Sequence, residues 1–219
     1  MRSVERYSIA TNTWNKVDDM YDHRKCYCIC AFMDKIFVFG GGHNYIYATN
    51  SCLQFNTKDC KWKEVAGMND SRRSSACAVF EGRIVVAGGN DNYARLNTVE
   101  SYDVDADKWS PMPNMIQVKI YHRLVVVRNK LLVIGPRRSD CEVFDNKCKT
   151  FVALRLPGGI ETEFQLSQVI AVGGKFFVFQ SWKNPVYCFD ADKDKYSKGN
   201  LKYEISNFSC VKIPSLAFF

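Results

Sequence analysis

Apolar and polar positions along this chain fall into short runs that return in a fixed order. Nearly continuous apolar stretches, Ile36 to Phe39, Ile84 to Ala87, Leu131 to Ile134 and Phe176 to Phe179, each stop at glycine or a polar residue. Short apolar runs bounded by turn residues predict buried strands. The clearest unit reads as four of them. Ser75 to Phe80 is strand a, Glu81-Gly82 a tight turn, and Arg83 to Ala87 strand b. A loop from Gly88 to Leu96 leads to strand c, Asn97 to Tyr102; Val104 to Asp107 turns the chain into strand d, Lys108 to Met112. No long amphipathic helix is visible.

Three markers repeat in the same phase. Trp14, Trp62 and Trp109 recur about every 47 residues, within the range of blade-type repeats, and Met20, Met68 and Met112 follow them. Gly40-Gly41 and Gly88-Gly89 close two of the apolar runs, while Gly135-Pro136 keeps one glycine and Gln180 none. A short strand ending in an aromatic residue recurs at Tyr7, Phe55, Tyr102, Phe144 and Phe189. Four-stranded units repeated along a chain predict an all-β fold, a β-propeller whose blades stack radially. Strands a and b are expected to be covered on both faces. The tryptophans are expected to bury area between blades, and the double glycines to admit close backbone approach near the central channel.

The double glycine after strand b, the aromatic-Asp after strand c and the tryptophan on strand d resemble the kelch family, and within it the kelch-like proteins. The resemblance covers nearly the whole chain and fades where Phe151 and Tyr196 replace tryptophan. The expected organisation is a partial blade at 1–20, blades at 21–68, 69–115, 116–160 and 161–206, and a closing strand at 207–219, about five blades in all. Either the tail, beginning at Phe208-Ser209-Cys210, completes the first blade, or the chain is part of a six-bladed propeller. The resemblance implies a protein-binding module, the substrate-recognition part of a cullin-RING ubiquitin ligase adaptor, with actin binding as the alternative. In that family the cullin is reached through BTB and BACK regions, which these 219 residues do not include.

Alternating strand direction puts the b–c and d–a loops on one face and the short a–b and c–d turns on the other. The a–b turns are read as Asp34-Lys35, Glu81-Gly82, Asn129-Lys130 and Gly173-Gly174. The longer b–c loops carry Tyr45, Tyr93, Arg95, Arg137, Arg138 and Trp182. Aligned on the a–b turn, Arg24, Arg72 and Lys119 share one position in the d–a loops, with Phe164 in the fourth repeat and Arg73 beside Arg72. A ring of bases with aromatic residues suits an acidic peptide, because arginine pairs bidentately with carboxylates and aromatic rings supply contact area. These ten named residues, from Arg24 to Trp182 but without Phe164, are the candidate partner-binding set.

Composition adjusts this picture only slightly. The net charge of +7 favours an acidic partner, but the bases are scattered, so neither nucleic acid nor a membrane is the expected target. The first residues lack the apolar core of a signal peptide and no run is long enough for a membrane helix, so a cytoplasmic or nuclear location is expected. Ten cysteines are then expected to be free thiols; Cys26, Cys28 and Cys30 alternate and face one side of a strand, without the paired Cys-x-x-Cys spacing of a metal site. Some kelch-type propellers are copper oxidases or sugar epimerases. With only His23, His43 and His122, no phosphate loop after Gly40-Gly41-Gly42 and no Gly-x-Ser-x-Gly motif, no catalytic residue, metal or cofactor is expected.

Overall fold

The computed structural model describes residues 2–43, 47–154, 166–180, 185–190, 193 and 195–200. The described residues fall into two units, Met1–Met112 with Val118–Ile120, and Pro113–Gln117 with Tyr121 onward. The first begins with a hairpin, β1 (Val4–Ser8) and β2 (Thr13–Val17), followed by β3 (Cys28–Phe32), β4 (Lys35–Phe39), the two-residue strands β5 (Gly42–His43) and β6 (Tyr47–Ala48), β7 (Cys52–Asn56) and β8 (Lys61–Val65). It ends with β9 (Ala76–Phe80), β10 (Arg83–Ala87), β11 (Val99–Asp103) and β12 (Lys108–Met112). The second unit holds β13 (Arg123–Val127), β14 (Lys130–Ile134), β15 (Glu142–Asp145), β16 (Thr150–Ala153), β17 (Leu166–Val172), β18 (Lys175–Gln180), β19 (Pro185–Asp190) and β20 (Lys195–Asn200).

Each set of four pairs antiparallel in simple succession, β3-β4-β7-β8, β9 to β12, β13 to β16 and β17 to β20, which makes four blades. Residues 4–17 form a two-stranded sheet. The expected tail strand at 207–219 lies outside the described residues. Two a–b turns sit one residue earlier than the sequence suggests, at Met33-Asp34 and Arg128-Asn129. Met33, Arg128 and Asn129 take positive φ there (53°, 48° and 58°), so side chains other than glycine hold the left-handed turn.

The register explains why two of the sequence markers travel together. Phe55 lies directly across from Trp62, Tyr102 from Trp109, Tyr7 from Trp14 and Phe144 from Phe151. The ring centroids of these pairs are 5.0, 4.9, 5.1 and 5.2 Å apart, so the aromatic end of strand c and the tryptophan of strand d are one cross-strand pair. Strand b is apolar throughout because each face enters a different core. Val38 and Ile36 pack with Met20, Leu53, Phe55 and Trp62. Phe37 and Phe39 pack with Ile84, Val86, Tyr102 and Trp109 in the next blade. In the second unit Val125, Leu132 and Ile134 meet Val169, Phe176, Val178 and Tyr187.

Trp62 and Trp109 are buried, and each indole N–H donates to the chain of the preceding blade, Trp62 Nε1 to Asp18 O at 2.9 Å and Trp109 Nε1 to Ala66 O at 2.7 Å. Trp14 departs from the expected interblade burial. It is 67% exposed, since the described residues of its hairpin supply no inner strands for its ring to cover.

Candidate partner-binding face

In the first unit the b–c loops and d–a segments meet, and the equivalent bases sit at the root of that meeting rather than on its surface. Arg72 lies between β8 and β9 and is fully buried. Its Nη1 donates to Gly88 O (2.8 Å) and Thr98 O (2.9 Å). Its Nη2 donates to Asp70 Oδ2 (2.9 Å), Thr98 Oγ1 (2.8 Å) and Glu100 Oε1 (2.9 Å), and Nε reaches Glu100 Oε1 at 3.2 Å. Arg24 repeats the arrangement one blade earlier. It forms a bidentate pair with Asp22 (2.8 and 2.7 Å) and donates to Gly40 O, Ser51 O and Ser51 Oγ. The guanidinium thus plugs the mouth of its own blade's b–c loop and satisfies carbonyls that the loop leaves unpaired.

The backbone of the same segment pins the preceding blade. Gly41 N donates to Arg72 O (2.8 Å), and Gly89 N to Lys119 O (2.8 Å). The double glycine follows from this approach. A Cβ on Gly40, where φ is +60°, would stand 2.2 Å from Arg72 O, and one on Gly89, where φ is +96°, 2.7 Å from Arg73 O. The close contact is with d–a segments, that of the following blade at Gly40 and that of its own blade at Gly89, not with strands crowding a channel.

Arg24, Arg72 and Lys119 are 5%, 0% and 4% exposed. The expectation that they present a basic ring to a partner is therefore corrected. Arg24 and Arg72 recur because each closes the loop root of its own blade, and the Arg72 guanidinium, holding two carboxylates and two carbonyls, has no donors left for a ligand.

The exposed residues lie one step outward. Arg73 pairs through its backbone with Asn90, and Asn90 pairs with Arg95, which sets Arg73, Asn90 and Arg95 in a row. Arg73 is half-buried, and its buried Nε has no hydrogen-bond acceptor among the described residues. Arg95 is exposed and Tyr93 is 95% exposed. Asp91 in the same loop accepts from the Tyr93 and Ala94 amides (2.9 and 2.8 Å), and these bonds hold its carboxylate below the usual range. Asn92 Oδ1 accepts from Ala48 N at 2.5 Å and so ties this loop to β6 of the previous blade. Tyr47 on β6 is 70% exposed and joins the same surface. Sequence reasoning chose Tyr45 from that loop and passed over Tyr47. Gly42 offered a signal, since a Cβ there would stand 1.9 Å from Tyr47 O, but only the fold shows that approach.

The remaining candidates are distributed elsewhere. Tyr45 and Trp182 lie outside the described residues, as does Phe164. In the second unit Arg137 is exposed and its carbonyl accepts from Asp140 N at 3.0 Å, so the expected open loop is a 3-10 turn, Arg138–Asp140, that carries the backbone of Arg138. His122 is buried in that unit, and His23 is exposed in the first. Among the described residues no helix is long and apolar enough to cross a membrane, and no group of three or more His, Cys, Asp and Glu is arranged to hold a metal ion.

Residues 2–180 match the family profile described as the KLHDC2/KLHL20/DRC7 Kelch-repeats domain. The chain belongs to the kelch-repeat family. The expected fold class holds: this is a kelch propeller chain, and kelch propellers are in general protein-interaction modules without catalytic activity. No curated protein matches the chain. The kelch double glycines and tryptophans account for the scaffold contacts above, whereas the side chains of Arg73, Tyr93, Arg95 and Tyr47 make none of these contacts among the described residues.

Proposed function

We propose that this kelch chain is the substrate-recognition part of a cullin-RING ubiquitin ligase adaptor and takes an acidic segment of its protein target on the Arg73–Arg95 face. The observation that carries the reading is the row Arg73, Asn90, Arg95, flanked by the exposed Tyr93 and Tyr47. Two guanidiniums on a rigid scaffold match carboxylates in fork geometry, and exposed tyrosines add contact area at low entropic cost. The overall charge of +7 assists encounter with an acidic partner. A ligase role also calls for a cullin-contacting region outside these 219 residues. Actin binding is the competing role on the same scaffold.

The test is affinity capture from lysate by the wild-type chain and by the Arg73→Glu, Arg95→Glu double variant. Arg72 is left intact, since its loss would disrupt the loop root. Target proteins that are lost with the variant, and are enriched in acidic segments, support the reading. An unchanged partner set refutes the face, and a set dominated by actin favours the cytoskeletal role.

A further inference from the structure

Cys28 and Cys30 on β3 and Cys77 on β9 point into one apolar cluster between neighbouring blades of the first unit, where β3 packs on β9. Cys77 and Cys30 pack against the same cluster as Cys28. Ser75 Oγ, on the same face as Cys77, donates to Cys28 Sγ at 3.5 Å. Cys28 is buried at 7% exposure, while Cys30 and Cys77 are half-buried. The cluster's position between two inner strands is unrelated to the partner-binding loops.

We propose that Cys28 and Cys77 form a peroxide-reactive dithiol that closes to a disulfide between two neighbouring blades. In the first step the Cys28 thiolate attacks the terminal oxygen of a hydroperoxide. An S–O bond forms, the O–O bond breaks, and the departing oxygen takes a proton to leave as water or an alcohol. Cys28 is oxidised to the sulfenic acid and the peroxide is reduced. The Cys77 sulfur then attacks Cys28, the S–S bond forms, the S–O bond breaks, and hydroxide leaves with the Cys77 proton as water. Two thiols and one hydroperoxide give one disulfide, one alcohol or water, and one water.

The electrostatics suit these roles. The neighbouring Cys77 thiol draws Cys28 below the ordinary thiol range; burial opposes it, and Ser75 and the nearby Arg72 charge reinforce it. Cys28 in turn pushes Cys77 up, as expected for the partner that keeps its proton until the second step. Cys52, buried in the same cluster, provides the contrast. Burial pushes its thiol up to about 12, so it stays protonated and inert.

The reduced chain is treated with hydrogen peroxide, blocked with N-ethylmaleimide and digested with trypsin without reduction. Residues 26–35 carry Cys26, Cys28 and Cys30 in one peptide, and residues 74–83 carry Cys77 in another. A cross-link between these peptides is expected, with fragment ions that place it on Cys28; it persists in Cys30→Ala and is lost in Cys28→Ala. Absence of the cross-link while the exposed Cys148 is oxidised, or fragment ions that place it on Cys30 or Cys26, would overturn the proposal. The fragment-ion readout on the wild type does not depend on any variant folding.

Discussion

Arg72 and Arg73 are neighbours in sequence and opposites in environment. Arg72 belongs to the loop root, where its donors close on Glu100, Asp70, Gly88 and Thr98. Arg73 belongs to the loop crown, where its backbone is anchored to Asn90 and its Nε lacks an acceptor among the described residues. Charge alone does not separate the two; what separates them is which side chain the backbone turns into the blade. Recurrence points the same way. A base that returns at one position with the same buried partners, as at Arg24 and Arg72, is what a scaffold needs.

The comparison breaks first at Arg72. In Arg72→Ala the Glu100 side chain, 3% exposed, is left charged and buried without its counter-ion. The expected loss is about 3–5 kcal/mol in urea unfolding. Arg24→Ala should cost less, because its partner Asp22 is 46% exposed and can be hydrated. Equal losses would mean that the lost carbonyl bonds, not the stranded carboxylate, dominate. Trp109→Ala should cost about 3–5 kcal/mol, since a buried ring and its bond to Ala66 O are both removed. Trp14→Ala should fall within about 0.5 kcal/mol, as for other exposed positions. Gly89→Ala comes next, at about 1–3 kcal/mol, because the new Cβ meets Arg73 O in a left-handed backbone. At the crown the stability cost nearly vanishes. Arg73→Glu with Arg95→Glu should leave the unfolding midpoint almost unchanged while removing partner capture; a collapse of the fold would place Arg73 with the root.

Much of the scaffold was readable from the repeats. The unit expected at Ser75 to Met112 appears as β9 to β12 with ends moved by at most two residues, since turns such as Glu81-Gly82 punctuate it sharply. The Tyr102–Trp109 pair was visible as two markers, though not as one contact. The site was less legible. Aligning repeats places Arg24, Arg72 and Lys119 at one position but carries no information on side-chain direction, and it favours recurrent residues, which are the structural ones. The row Arg73–Asn90–Arg95 depends on isolated bridges between separate loops, and a single chain's pattern does not encode those. Trp14 shows the converse limit. Its local sequence matches Trp62 and Trp109, yet burial depends on inner strands that its hairpin lacks among the described residues.

The smallest effect tests how one blade grips the chain of the preceding blade. The peptide group at residue 66 is held twice by the following blade, its N–H by Asp107 Oδ1 at 2.8 Å and its oxygen by Trp109 Nε1. Asp107 also accepts from the Tyr102 hydroxyl. The Tyr102 bond, then the Ala66 amide, hold the Asp107 carboxyl below the usual carboxylate range. A depressed folded pKa means that the contribution is complete above the unfolded value, about 4, and is lost as pH falls through the lower folded value. Because Asp107 is mostly exposed, solvent screens the interaction and the effect is modest. The thermal midpoint of the wild type should thus fall below pH 4 by slightly more than that of Asp107→Asn, with parallel behaviour between pH 5 and 8. If the two curves stay parallel below pH 4 as well, Trp109 alone carries the grip and the carboxylate is incidental.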